Sequence, residues 1–120
     1  MRRRPAESPE TRLLTSLIQK GEDIFLIGII LQEILQGVRS KKQFALVRDY
    51  MAPFPTISLS RRDYIEAAAL RNDCAGKGVQ AGTVDFLIAS TCIRFGCALL
   101  TADRDFDRIA RHTPLKLLKA

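Results

Sequence analysis

Residues 82–106 read Gly-Thr-Val-Asp-Phe-Leu-Ile-Ala-Ser-Thr-Cys-Ile-Arg-Phe-Gly-Cys-Ala-Leu-Leu-Thr-Ala-Asp-Arg-Asp-Phe, and this stretch decides the fold. Its first half predicts an apolar helix that carries Asp85 in its opening turn. Its second half predicts a short strand from Cys97 to Leu100 that runs into Thr101, Asp103 and Asp105. In an open parallel sheet, ligands sit outside the carboxyl ends of strands, often against helix N-termini. Asp85 is unusual because Phe86, Leu87, Ile88, Ala89, Cys92, Ile93 and Phe95 leave its helix little polar face. Such a helix is normally buried, and a buried carboxylate is costly unless it is paired or bound to a cation. The plainer reading makes Asp85 a helix-dipole residue with Thr83 as N-cap. Asp103 and Asp105 have the same plain reading, as first-turn acids of a helix through Phe106, Ile109 and Ala110.

Working outward, the chain alternates helices and strands. Ser8 and Pro9 open a helix with Leu13, Leu14, Leu17 and Ile18 on one face, and Gly21 stops it. The apolar run Ile24 to Leu31 reads as a strand buried on both faces of a parallel sheet. It leads to a helix over about Leu31 to Val38, which carries Glu33 one turn past the strand. Glu33 is either a surface glutamate or a third acid delivered to the same sheet edge. Lys41 to Met51 reads as a helix ended by Pro53 and Pro55, and Ile57 and Leu59 mark a short strand. Ser60 to Asp63 resembles a capping box with Asp in place of Glu, opening a helix to about Cys74. Leu115, Leu117 and Leu118 suggest a last strand. Alternation of this kind implies an α/β fold with a parallel sheet covered by helices on both faces.

Composition narrows the function classes. The 120 residues suit one domain, 1–120, with residues 1–7 as an unstructured basic arm. A net charge of +6 permits contact with nucleic acid or an acidic protein, or is only a solvated surface. Cys74, Cys92 and Cys97 lack metal-ligand or redox spacing; Cys92 and Cys97 read as small core residues, which points to a reducing, cytoplasmic setting. His112 is the single histidine, so histidine-based zinc chemistry and a serine triad are poorly supported. No apolar run approaches the ~18 residues of a membrane span, and no phosphate-cradling Gly-Lys loop occurs.

The pattern Thr101-x-Asp103-x-Asp105-Phe106 after an apolar strand resembles the closing motif of PIN-domain ribonucleases. It is most similar to VapC-type toxins of VapBC toxin–antitoxin pairs. The resemblance extends through Val84-Asp85-Phe86-Leu87-Ile88-Ala89 and Leu31-Gln32-Glu33-Ile34-Leu35-Gln36-Gly37, and covers roughly residues 8 to 118. It implies a three-layer α/β/α fold with strand order 3-2-1-4-5. It also implies Glu33, Asp85 and Asp103 as catalytic metal ligands, with Asp105 and Thr101 in support. Oxygen-only ligation favours Mg²⁺ or Mn²⁺ over zinc. The implied substrate is single-stranded or loop RNA, and the implied partners are an antitoxin and a second copy. A binding protein without competent chemistry is the alternative. A phospho-acceptor signalling domain is more remote, because the nearest late lysine is Lys116.

The family's opening strand reads roughly apolar-apolar-Asp-Thr-Ser, and this chain matches only from the helix after it. No residue is therefore carried over to that first acidic position, and the expectation is a sheet lacking its first, central strand. A strand of ~5–6 residues forgoes about ten ladder bonds at roughly 1 kcal/mol each, against a domain stability of about 5–15 kcal/mol. The natural protein then starts upstream of Met1, or the second strand pairs with the fourth, or a strand is borrowed. The 120-residue chain alone is expected to be poorly stable and at most weakly nucleolytic. Thermal melts and Mg²⁺-dependent RNA cleavage, compared with a chain extended upstream by an Asp-bearing strand, check this. A cooperative melt with full activity from the short chain would refute it.

Overall fold

The computed structural model describes residues 9–119, so the expected arm 1–7, the Ser8 cap and Ala120 lie outside the described residues. The chain divides into two compact units, Asp23–Ser60 and the remainder. The fold is α/β, rich in helix with short parallel strands.

The unit Asp23–Ser60 contains β1 (Leu26–Ile27), α2 (Gly28–Gln36), α3 (Lys41–Met51) and β2 (Thr56–Ile57). β1 and β2 pair in parallel, with Leu26 opposite Thr56 and Ile27 opposite Ile57. The long strand expected over Ile24 to Leu31 is thus corrected to two residues, because α2 starts at Gly28. A short apolar run of Ile and Leu suits a helix segment as well as a strand, and here Ile29 and Ile30 are helical. The helix α3 has the expected bounds. Ser40 caps it, its Oγ accepting from the Gln43 N–H at 3.3 Å, and Pro53 and Pro55 forbid its continuation. Ile27 is the only buried residue of this unit.

The other unit contains α1 (Pro9–Gln19), α4 (Arg61–Gly76), α5 (Thr83–Phe95), β3 (Leu99–Leu100), α6 (Asp105–Arg111) and β4 (Leu117–Leu118). Its core is α5, where Phe86, Ile88, Ala89, Ser90, Thr91 and Cys92 are all buried. Burial on this scale demands that polar side chains be satisfied. Thr91 donates its hydroxyl to the Leu87 carbonyl at 2.7 Å. Gly82, not Thr83, is the N-cap of α5, and Thr83 stands one position inside the helix. At the other end Gly96 takes the left-handed conformation, φ 67°, that glycine adopts without a Cβ clash. The Cys97 N–H then returns to the Cys92 carbonyl at 2.9 Å and turns the chain into β3.

β3 pairs in parallel with β4, Leu99 opposite Leu117 and Leu100 opposite Leu118. Both ladders are two-stranded, and among the described residues none joins β1 to β3. The five-strand order expected from the resemblance goes further than these pairings. Cys74 and Cys92 are buried and Cys97 half-buried, all three free thiols; Cys97 is therefore less of a core residue than its apolar surroundings predict. Thr113 closes the unit: its hydroxyl donates to the Ile109 carbonyl at 2.8 Å and accepts from the Leu115 N–H at 3.2 Å.

The most extensive helix packing joins α4 to α5. Asp63, Ala67 and Cys74 form the buried stripe of α4, and their spacing puts them on one helical face. Asp63 is 2% exposed and meets the Arg94 guanidinium from the last turn of α5. Each charge also suits its own helix dipole, acid at the N-terminus and base at the C-terminus. Removing one partner of such a pair weakens the compensation of the charge that stays buried. Arg94→Met should therefore cost on the order of 3 kcal/mol in urea unfolding at pH 7. Adding Asp63→Asn should recover part of that loss.

Candidate metal centre

Asp85 occupies the third position of α5, in its opening turn. The apolar face of α5 draws that turn inward, and the carboxylate is half-buried. Its Oδ2 accepts from the Gly82 N–H at 3.3 Å, one of the donors that a helix start leaves without an intrahelical partner. The dipole reading of Asp85 is therefore met in part, but the other acids show that it is not the whole.

Asp103 and Asp105 follow β3 directly, at its carboxyl end. Thr101 begins the turn: its Oγ1 accepts from the Asp103 N–H at 3.0 Å. Asp103 repeats the device, its Oδ1 accepting from the Asp105 N–H at 2.9 Å. Side chains of this type favour such turns because they replace a backbone acceptor. Thr101 thus ties the backbone of Asp103, and Asp103 ties that of Asp105. Asp105 opens α6, where the Arg108 guanidinium donates to its Oδ1 at 2.8 Å.

The result is a three-carboxylate group. One oxygen each from Asp85, Asp103 and Asp105 lie within 4.8 Å of one another, with Asp103 exposed and the other two half-buried. Asp105 belongs to the group on equal terms with the others, although its sequence context ranks it as a supporting residue. Glu33 stands exposed on α2 of the unit Asp23–Ser60.

Burial raises the Asp85 pKa above the ordinary carboxylate value. The Gly82 N–H pulls it back, and the neighbouring charges of Asp103 and Asp105 push it up again. Asp107, also on α6, behaves oppositely: its hydrogen bond and ion pair with Lys119 hold its pKa down, and the charges of Arg111 and Arg104 add to this. The carboxylates therefore differ in kind, one set crowding and the other compensated. The donor set fits a hard divalent cation, since all three ligand atoms are carboxylate oxygens and neither histidine nor cysteine joins them.

The pair Asp105–Arg108 has a visible sequence signal in its i, i+3 spacing, which the reading of the acids alone passed over. The pair Asp63–Arg94 has none, because its members are 31 residues apart.

Comparison with known families matches residues 1–112 to the PIN domain, and the chain belongs to that family. PIN domains are in general nucleases whose acidic residues bind divalent metal ions and whose substrate is RNA, and an acidic group of that kind is present here.

The raised Asp85 pKa has a consequence for stability. The folded chain holds this proton more tightly than the unfolded chain, so the Asp85 contribution falls as pH rises from the ordinary carboxylate range through the raised folded value. In EDTA at pH 7, Asp85→Asn should melt above wild type, because Asn still accepts from Gly82 without the cost of burying a charge and without repulsion from Asp103 and Asp105. The difference should close below the unperturbed Asp value of about 3.9. Thermal melts from pH 3 to 8 measure it, and a variant that melts lower at pH 7 would refute the crowding.

Proposed function

We propose that this chain is a Mg²⁺-dependent endoribonuclease, the VapC-type toxin component of a type II toxin–antitoxin pair acting in the cytoplasm. The observation that carries this reading is the convergence of Asp85, Asp103 and Asp105 at a strand end within a PIN domain. Asp85 and Asp103 would hold Mg²⁺ or Mn²⁺ directly or through water, with Asp105 beside them and Glu33 as a further carboxylate of the same centre. Thr101 keeps Asp103 in place through its backbone. A bound cation supplies charge stabilisation at the scissile phosphodiester and favours in-line attack by water. The protein contributes the carboxylates' fixed spacing and the half-buried setting of Asp85, which limits competing hydration.

The expected partners are an antitoxin and a second copy of the chain. An antitoxin that lays a basic side chain over the acids would relieve their repulsion as a cation does, so the two should compete.

Two measurements test the reading. Mn²⁺ titrated calorimetrically into wild type should release heat that Asp85→Asn loses, and equal heats from both remove the metal centre. RNA cleavage, however slow, should require Mg²⁺ and cease in EDTA. Asp103→Asn should reduce it by more than the ~10–100-fold typical of an outer-shell partner. Cation binding with no cleavage of any RNA would select the alternative, a PIN protein that acts only as a binding partner.

A further inference from the structure

We infer that Arg104, Arg108 and Arg111 form a ridge along α6 that carries the RNA backbone away from the acidic centre. This deepens the ribonuclease reading and rests on it. The three arginines fall at i, i+4 and i+7, so they share one face of the helix. All three are exposed, while Phe106 and Ile109 bury the opposite face. At a rise of 1.5 Å per residue, Arg108 stands about 6 Å beyond Arg104, and Arg111 about 4.5 Å further on. The ridge starts at the site itself, because Arg104 lies between Asp103 and Asp105 in sequence and Arg108 touches Asp105.

Charge supports a polyanionic occupant. Residues 104–119 hold five of the chain's arginines and lysines against two acids, a net of +3. Half of the overall +6 is therefore concentrated in this short segment. Asp105 takes Arg108 and Asp107 takes Lys119, so Arg104 and Arg111 carry the uncompensated charge of the ridge, with Arg108 between them shared with Asp105. The ridge residues are arginines, whose planar fork suits phosphate oxygens better than a lysine point charge does. A centre of three carboxylates repels a nucleic-acid backbone, and phosphates on either side of the scissile bond need compensation that one cation does not provide. A ridge of cations leading out of that centre supplies it on one side and sets the direction of the strand. Such contacts position the backbone without reading sequence.

The test is the salt dependence of single-stranded RNA binding in EDTA, followed by fluorescence anisotropy of a labelled oligonucleotide. Each phosphate contact to a single strand contributes about 0.7 to the slope of log K against log salt. The triple variant Arg104→Gln, Arg108→Gln, Arg111→Gln should lower that slope by about 1.4, because Arg108 is held by Asp105, and Arg104→Gln or Arg111→Gln alone by about 0.7. The single variants leave the Asp105–Arg108 pair intact and serve if the triple variant folds poorly. Arg61→Gln, Arg62→Gln, Arg71→Gln on α4 removes the same charge and should change the slope by less than about 0.7.

Equal slope losses from the α4 and α6 triples would overturn the ridge in favour of general charge. An unchanged slope in the α6 variants, with Mg²⁺-dependent cleavage retained, would overturn the path and leave the ribonuclease reading standing. Absence of RNA binding and cleavage by wild type would overturn both. Polyglutamate that binds as tightly as RNA, with the same dependence on the three arginines, would assign the ridge to an acidic protein instead.

Discussion

The contact between Asp63 and Arg94 is the one on which the site-bearing unit depends. It closes an αα-hairpin at the end away from its loop, since Asp63 opens α4 and Arg94 ends α5. A carboxylate as buried as Asp63 would be destabilising alone. Paired, it fixes which face of α4 lies inward, because Ala67 and Cys74 share its side of the helix. The Arg94 guanidinium also lies over the Phe95 ring, 5.2 Å from its centre, so its planar group is held on a second side. With that end anchored, the opening turn of α5 has a defined place, nine residues or about 13 Å along the helix from Arg94. Asp85 stands in that turn.

A second constraint works against the first. Three carboxylates within 4.8 Å oppose one another, and the ion pair from Arg108 offsets one of them, Asp105. The chain holds them together because each is tied by a different local device. Asp85 is tied by the Gly82 N–H and the burial of α5, Asp103 by the Thr101 hydroxyl, and Asp105 by the Asp103 carboxylate. None of these ties needs an ion. The hairpin and the β3–β4 ladder thus impose a crowding that a hard cation would relieve; the Asp85 pKa is raised first by burial and further by the charges of Asp103 and Asp105. Asp107 shows what the same helix does with an acid it has compensated, since Lys119 meets it from beyond β4.

These devices explain which parts of the molecule were legible in its sequence. The end of α3 could be read because Pro53 and Pro55 punctuate it chemically, while the Ser40 cap at its start is seen only in the structure. The acids could be located because a strand end and a helix start are both marked by local sequence. The run Ile24 to Leu31 is ambiguous in sequence because apolar side chains alone do not distinguish an extended from a helical backbone. Gly82 rather than Thr83 became the N-cap, since both are acceptable caps and the difference of one residue is set by packing. The ion pair that anchors α4 on α5 left no trace, because no periodicity links Asp63 to Arg94. Local chemistry is written locally; long-range pairing is not.

The two units differ in how firmly they can hold a functional group. In Asp23–Ser60 only Ile27 is buried, while Phe25, Ile34, Phe44, Leu46 and Tyr50 are exposed. Segments with so little buried apolar surface open at low free-energy cost compared with a core such as that of α5. A cation centre needs its ligands held to within a fraction of an ångström. The trio on α5, the turn after β3, and α6 meets that demand from within its own unit, through backbone hydrogen bonds and a buried helix. Glu33 stands on a helix with no buried residue. The carboxylates held together within one unit are thus Asp85, Asp103 and Asp105.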